Sequence, residues 1–411
     1  MSRPRVSVVV PSLARPRELG RCLAALGQVR YRPLEIVVVA CAVGRAAITD
    51  HAAPWLRVVP NAGDGIAAAR NAGIDAAAGE IVAFVDDDAV PEPTWLDHLV
   101  AALEETGAPA ATGHVRGRNG ISFQWRDRVI RRDGFIDIRP GGGDLPCVLP
   151  ASAGVTMLEG TNMAFRRDIL DALGGFEPAF RFYLDDADIA LRLNNAGHPA
   201  AVAPLAQVHH GFAPSVRRRR DRMPLDLFDI GRSLAIFLRA HLGAEAAPAA
   251  LALHRDGERR RLLRAMIAGL CEPRDVGRLL ARFDDGARDG GEATFSVARA
   301  VAAAPAGAVF RQDAHPNPVI LAGRPWSRGA LRRAAAVAAA RGAAPSLFVF
   351  GPTAMYHRMR YDPAGYWEQA GGLFGRSDRN APLLRFRSFR RRLAEETGRV
   401  AKVRGLPETR T

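Results

Sequence analysis

The chain has 411 residues, a formal net charge of +14, 48% hydrophobic residues and 24% charged ones. That length exceeds one ordinary core and predicts two or three domains, and that balance excludes wholesale disorder. Nearly all the positive charge is arginine. Such a surface suits nucleic acid, anionic headgroups or phosphorylated substrates, although the Ala- and Arg-rich usage of a GC-rich genome explains it equally well.

The first part of the chain alternates strand and helix signals. Val6–Val10 is a short β-branched run stopped by Pro11, which predicts a buried strand. Residues 15–27 place Leu19, Cys22, Leu23 and Leu26 at helical spacing. Ile36–Val39 and Leu56–Val59 read as further strands, and Pro60 ends the second of them. Residues 65–77 are Ala-rich and helical, with Gly79 as the stop. Ile81–Val85 is a fourth strand, and Asp86-Asp87-Asp88 follows it directly. Pro91 and Pro93 then open a helix running to about Leu103. Alternating strands and helices imply a mostly parallel sheet covered on both faces, with ligands beyond the carboxyl ends of the strands.

Residues 113–155 are Gly-, Pro- and Arg-rich and read as an extended edge over the site. A dense mixture of short elements fills 156–212. The run Arg217–Arg220 marks a shift in composition, and apolar spacing is helical from about 224 to 304. A strand at Val319–Ala322, a helix at 328–341 and a strand at Ser346–Phe350 form one βαβ-like unit. An aromatic, Gly-rich tail from Tyr361 to Gly375 and a basic helix around 385–396 follow. The expected domains are therefore 1–215, a helical region 216–305 and a small α/β region 306–411.

The four cysteines, Cys22, Cys41, Cys147 and Cys271, form no C-x-x-C pair, so neither a zinc site nor a disulfide framework is indicated. No apolar run reaches the ~18 residues of a membrane span, and the segment from Met1 to Arg5 does not open a secretory signal. A reducing cytoplasm is the expected compartment.

Four constellations carry the chemistry. Asp86-Asp87-Asp88 at a strand end offers hard carboxylate oxygens for a divalent cation and a ribose; an acidic turn or helix cap is the plainer alternative. The small residues of Gly65–Gly73 permit close backbone approach, with Arg70 aimed at a phosphate or at the aspartates; an ordinary packed helix would read the same. Asp185-Asp186-Ala187-Asp188 clusters carboxylates whose repulsion raises at least one pKa, which suits a general base; the same acids would also cap a helix. His209-His210 could complete a site begun by carboxylates, or be structural.

Their order and spacing together resemble family 2 glycosyltransferases of the GT-A fold, which are inverting enzymes. The matching residues are Val6–Pro11, Ala69–Gly73, Gly79 before Ile81–Asp88, Gly160-Thr161-Asn162 with Arg166, Gly174-Gly175-Phe176, Asp185–Arg192 and His209. They cover roughly residues 4–212. The resemblance implies a GT-A-type sheet and a nucleoside diphosphate sugar donor, with Mn2+ or Mg2+ as cofactor. By the same resemblance Asp86 contacts the ribose, Asp88 and His209 (or His210) hold metal, and Asp186 is the catalytic base. Pro11, Arg70, Asp87, Asn162 and Asp185 are the further donor-binding positions it implies. The acceptor would be a glycan or a lipid-linked sugar in cell-envelope or exopolysaccharide synthesis.

Two departures stand out. The second strand ends Val39-Ala40-Cys41-Ala42-Val43-Gly44, where the family has a base-reading acid; the nearest carboxylate here is the late Asp50. Asn61 is also farther from Gly65 than the family's spacing. Residues 213–411 lie outside that domain, although His209–Arg239, Ala322–Trp326 and Trp367–Arg376 resemble the extended C-terminal part of some bacterial members of the family; the arginines at 217–220 and 387–392 offer peripheral contact with anionic membrane at the inner face of the plasma membrane. A sugar nucleotidyltransferase would want a Gly-rich phosphate loop after the first strand, which Val10–Arg15 is not. A non-catalytic sugar-nucleotide or polyanion binder is the remaining alternative. Nucleic acid is not the expected partner, because the acidic clusters would repel it.

Overall fold

The computed structural model describes residues 3–46, 48, 53–61, 63–139, 143–211, 213, 215–295 and 299–407. The chain opens with strand β1 (Val6–Ser12), helix α1 (Pro16–Leu26), β2 (Leu34–Ala40), the short α2 (Ala42–Ala46), β3 (Leu56–Pro60), α3 (Ile66–Ala76) and β4 (Ile81–Phe84). These four strands pair in parallel in the order β3-β2-β1-β4. Every residue of β1, β2 and β4 is buried, as expected of strands covered on both faces. Alternation along β1 divides the core in two: Val8 and Val10 pack with Leu19, Leu23 and Leu26 of α1, while Val9 packs with Ala67 and Ile74 of α3.

Beyond β4 the sheet becomes mixed. The chain runs through β5 (Ala89–Pro91), α4 (Trp95–Thr106), β6 (Ala110–Arg116), β7 (Phe123–Trp125), β8 (Arg128–Ile130), β9 (Ile136–Ile138), β10 (Cys147–Val148), β11 (Val155–Thr156), β12 (Met163–Arg166), α5 (Arg167–Leu173), α6 (Asp185–Asn195) and β13 (Ala200–His210). Strand β12 lies antiparallel between β4 and β6, β13 runs parallel to β6, and β5 pairs with the end of β13. The helix expected from Pro91 starts later, at Trp95, because Ala89–Pro91 pairs with β13 through Pro91↔Val208 and Val90↔His209. The weakly periodic stretch 113–155 contributes β7, and the small sheet β11-β8-β9 is built largely from it.

Three helices follow: α7 (Phe228–His241), α8 (Ala247–Ile267) and α9 (Pro273–Glu292). Helices α7 and α9 approach to backbone contact, and an added Cβ at Gly286 would fall 1.9 Å from the Phe228 carbonyl oxygen. Leu234, Phe237, Leu279 and Phe283 from these helices share one hydrophobic cluster with Val9, Val37 and Phe84 of the sheet.

The C-terminal unit holds β14 (Pro318–Gly323), α10 (Arg328–Ala340), β15 (Ala344–Gly351), β16 (Arg358–Asp362), β17 (Tyr366–Gly372) and α11 (Phe389–Arg404), with sheet order β14-β15-β17-β16. Its βαβ half agrees with the sequence. The aromatic, Gly-rich tail does not stay irregular: it folds into the β16–β17 hairpin, turning at Gly365 with φ of 85°. The basic helix extends eight residues past 396, to Arg404.

Candidate active site

The carboxyl ends of β1 and β4 lie side by side, and the aspartate run leaves β4 there. Asp87 is fully buried, Asp88 nearly so, and the Asp86 side chain keeps 26% exposure. Each aspartate has its own partners. Ser12 Oγ donates to Asp87 Oδ2 at 2.8 Å, and Arg15 lies 2.7 Å from Asp87 Oδ1 and 3.2 Å from Asp88 Oδ2. His210 Nε2 is 3.2 Å from Asp88 Oδ1, and the Ala213 amide donates to Asp88 Oδ2 at 2.8 Å. These environments drive the two carboxyls apart. Burial pushes Asp87 up to about 7 despite Arg15. For Asp88, burial is outweighed by His210, Arg15 and the Ala213 amide, which hold it well below the usual carboxylate range.

Asp86, Asp88 and His210 bring one ligand atom each to within 4.8 Å of one another. Two carboxylate oxygens and an imidazole nitrogen fit a hard or borderline divalent cation, so the donor set suits Mn2+ or Mg2+.

The second acidic group faces the first across Arg70. This buried guanidinium pairs with Asp185, donates to the Gly160 carbonyl at 2.9 Å and reaches Asp86 Oδ1 at 3.4 Å. Asp186 accepts from the Gly160 amide and from its own helix at Ala187, each at 2.9 Å. Burial raises both carboxyls of the pair, each against the pull of Arg70. Tyr183 and Leu184, with φ of 71° and 67°, turn the chain so that α6 opens on these acids. Asp188 faces elsewhere, accepting from Arg192 Nε at 2.8 Å and lying 2.8 Å from His241 Nε2.

The structure therefore joins Arg70, Asp86, Asp87, Asp88, Asp185 and Asp186 in one site, with Pro11 buried at the end of β1. Two expected residues fall elsewhere. Asn162 is fully buried and its amide is spent on the protein: Nδ2 donates to the His114 and Ala206 carbonyls, and Oδ1 accepts from Trp95 Nε1. It braces β6, β13 and α4 from within rather than facing a ligand. His209 points away from the aspartates, because neighbours on a strand face opposite sides. Its Nε2 is 2.8 Å from Glu92 Oε1 and its ring packs 4.5 Å from that of Trp367. The position expected for His209 is filled by His210. Asp50 lies outside the described residues.

Sequence reasoning missed Ser12, Arg15 and the pair beside Asp186. Arg128 Nε donates to Glu159 Oε1 at 2.6 Å and its guanidinium lies 4.7 Å from the Trp125 ring, which itself neighbours the His210 ring at 5.5 Å. The available signal for Arg15 was weak: a basic residue shortly after the first strand, reached through Ala14 at φ of 51°. The arginines at 387–392 are partly interior, since Arg392 is 1% exposed and pairs with Glu396, and Arg387 pairs with Glu395. Among the described residues no helix is long and apolar enough to cross a membrane.

Residues 4–223, more than half of the chain, match the family described as "Glycosyltransferase like family 2". The chain belongs to that family. The mixed, mostly parallel sheet with helices against it agrees with the α/β class that the sequence implied. Similar relatives include the O-antigen biosynthesis protein RfbC of Myxococcus xanthus, 27% identical over 54% of this chain and 18% of that protein. The succinoglycan biosynthesis protein ExoM of Rhizobium meliloti is 31% identical over 35% of this chain and 44% of its own length. The chain spans under a quarter of the first two curated relatives it matches, at 18% and 24%. Among solved structures, the mannosyltransferase PcManGT of Pyrobaculum calidifontis, in complex with GDP-Man and Mn2+, aligns at a TM-score of 0.42. That alignment has 21% identity and covers 71% of this chain and 88% of the other.

Proposed function

We propose that this family member moves a sugar from a nucleoside diphosphate sugar to an acceptor hydroxyl, with inversion, in the synthesis of a cell-surface or exported polysaccharide. The observation that carries this reading is the pairing, through Arg70, of an aspartate–histidine group suited to a cation with a second carboxyl pair whose affinity for protons is raised. The relatives named for O-antigen and succinoglycan biosynthesis support the pathway class.

Asp86, Asp88 and His210 would hold the cation, and Asp86, the most exposed of the three aspartates, also faces the ribose. A cation there would neutralise charge on the diphosphate. Asp186 accepts the proton of the acceptor hydroxyl as its oxygen attacks the anomeric carbon. The Gly160 amide and Arg70 hold the two acids in place, so that base and leaving group act at opposite ends of the displacement. The acceptor is a glycan or a lipid-linked sugar, and the missing acid after β2 leaves the nucleobase open.

A panel of nucleoside diphosphate sugars with Mn2+ or Mg2+, scored for binding and for donor hydrolysis, tests the proposal. Asp88→Ala should lose metal-dependent binding. Asp186→Asn should bind as the parent does and lose turnover by at least about 10²-fold. Absence of binding to every donor would overturn the reading, whereas full turnover in Asp186→Asn would overturn only the base.

A further inference from the structure

Beyond the carboxyl ends of the parallel strands β14, β15 and β17 lie the turn 324–327 and the loops 352–357 and 373–388. The two loops pack backbone to backbone. The Gly372 amide donates to the Met355 carbonyl at 2.9 Å, the Phe374 amide to the Thr353 carbonyl at 3.0 Å and the His357 amide to the Arg376 carbonyl at 3.2 Å. Glycine permits this approach: an added Cβ would fall 2.2 Å from the Thr353 carbonyl oxygen at Gly372, and 2.0 Å from that of Met355 at Gly375. An added Cβ on Gly351 would meet the Pro325 ring at 3.3 Å, so the turn lies against the start of the first loop. The second loop is tied down by Ser377 Oγ, which donates to Glu396 at 2.6 Å, and by the Arg385 amide, which donates to the Phe374 carbonyl at 3.0 Å. Backbones this close leave no space between them for large side chains, which turn to solvent.

Those side chains are apolar. Trp326, Met355, Tyr356, Leu383, Leu384 and Phe386 are each between 51% and 79% exposed. The Phe386 ring lies 5.5 Å from that of Phe374, and Arg376 stands 5.0 Å over the Tyr356 ring. Exposed hydrophobic residues scattered singly are ordinary, but six on adjoining segments mark a surface that something covers. Positive charge surrounds them. Residues 376–391 hold Arg376, Arg379, Arg385, Arg387, Arg390 and Arg391 against one acid, Asp378. Arg387 and Arg391 lean on Glu395, whereas Arg379, Arg385 and Arg390 are exposed.

We propose that this rim docks on an anionic lipid bilayer. Its six apolar side chains would lie at the boundary of headgroups and acyl chains, with Arg379, Arg385 and Arg390 on the lipid phosphates. Amphipathic rings and aliphatic side chains set among cations are what such a boundary selects. Charge decides the occupant. A second copy of the chain would bring the same arginines face to face, with a formal +14 on each molecule. A nucleic acid would satisfy the arginines and the rings, but would leave Met355, Leu383 and Leu384 in water. Arg392, in the basic run that the sequence offered for membrane contact, is interior and takes no part. Docking does not depend on the transfer reaction proposed above. It would still hold the catalytic sheet at the bilayer, because Arg404 on Glu92 and Trp367 on His209 fix α11 and β17 to that sheet.

The experiment is sedimentation of the full-length protein with vesicles of phosphatidylcholine alone, and of phosphatidylcholine and phosphatidylglycerol in equal parts. The parent should bind the mixed vesicles and not the neutral ones, with an affinity that falls as salt rises. Trp326→Ser combined with Phe386→Ser should weaken binding about 10-fold or more. Arg379→Gln combined with Arg385→Gln should weaken it about 5-fold per charge removed. Ile267→Ser, and Arg259→Gln combined with Arg260→Gln, remove exposed groups from α8 instead and should change binding by less than about 2-fold. Tryptophan emission should shift to the blue on binding, and Trp326→Phe should remove that shift. Equal melting temperatures show that the variants fold. No binding to the mixed vesicles, or equal losses in the rim and α8 variants, would overturn the docking. So would self-association, or binding of a single-stranded oligonucleotide, that the rim variants abolish while vesicle binding stays unchanged.

Discussion

Asp186 combines a raised proton affinity with two fixed amide donors, and that combination sets a pH signature. A base works only when ionised. An ordinary aspartate is ionised above about 4, so a raised pKa keeps Asp186 protonated, and idle, over part of the range where an ordinary one would act. The rate of transfer should therefore rise with pH along an acid limb whose midpoint lies above about 4. Arg70→Lys should move that limb further up, because a point charge cannot bridge Asp86, Asp185 and the Gly160 carbonyl as the planar fork does. A kcat/KM profile from pH 4 to 9 reads both. A flat acid side in the parent, or no movement in the variant, would argue against Asp186 as the base. At this scale the sequence showed which acids exist but not their partners. The aspartate run was legible because a β-branched strand leads straight into it. Arg15 and Ser12 were not, since they meet Asp87 only through the pairing of β1 with β4.

The strand β13 turns its two histidines to opposite faces, and the face of His209 meets the C-terminal unit. His209 meets Glu92, which accepts from Arg404 Nε at 2.8 Å and Nη2 at 3.1 Å, and Arg404 lies over the Trp367 ring at 4.4 Å. Thus α11 and β17 are latched to the strand that ends in His210. Both charged partners are fully buried, so removing one leaves the other uncompensated. Arg404→Ala should cost about 3–5 kcal/mol, while Glu92→Leu combined with Arg404→Met should recover most of it. Urea denaturation of the parent, of Glu92→Leu, of Arg404→Met and of their double gives the coupling, with Arg404→Ala measured beside them. If Arg404→Ala costs under about 1 kcal/mol, the latch is incidental. Which histidine faced the aspartates could not be read from the sequence, because one residue of register exchanges the two faces of a strand. The β16–β17 hairpin did leave a signal, the turn residues Asp362-Pro363-Ala364-Gly365, but few alternating apolar residues flank it.

At the scale of the whole molecule, the run of arginines at 217–220 suggested a boundary where the packing is continuous. The hydrophobic cluster that holds Val9, Val37 and Phe84 of the sheet also takes in residues of α3 and α6 and, farther along the chain, Leu234, Phe237, Leu279 and Phe283 of α7 and α9. Composition reports what is exposed near a junction, and arginine there satisfies solvent and carboxylates alike; it says nothing about apolar residues a few turns later. Further contacts tie the helices in, among them Arg232 Nε to Asp289 at 2.6 Å within the helical layer and Ser233 Oγ donating to the Phe182 carbonyl beside α6 at 2.6 Å. A chain ending at residue 213 would expose to water the apolar residues of that cluster against which Leu234, Phe237, Leu279 and Phe283 pack, and would strip the support from the segment that presents Asp185 and Asp186. Each large apolar side chain uncovered forfeits about 1.5–3 kcal/mol, and several are uncovered together, which is comparable with the whole stability of a typical domain. Residues 1–213 alone should therefore lack a cooperative thermal transition by near-ultraviolet circular dichroism and should bind a hydrophobic dye. A sharp transition with nucleotide binding retained would instead make 216–305 a separable domain. The difference matters for function, because in the first case the helical layer is part of what holds the proposed base in position.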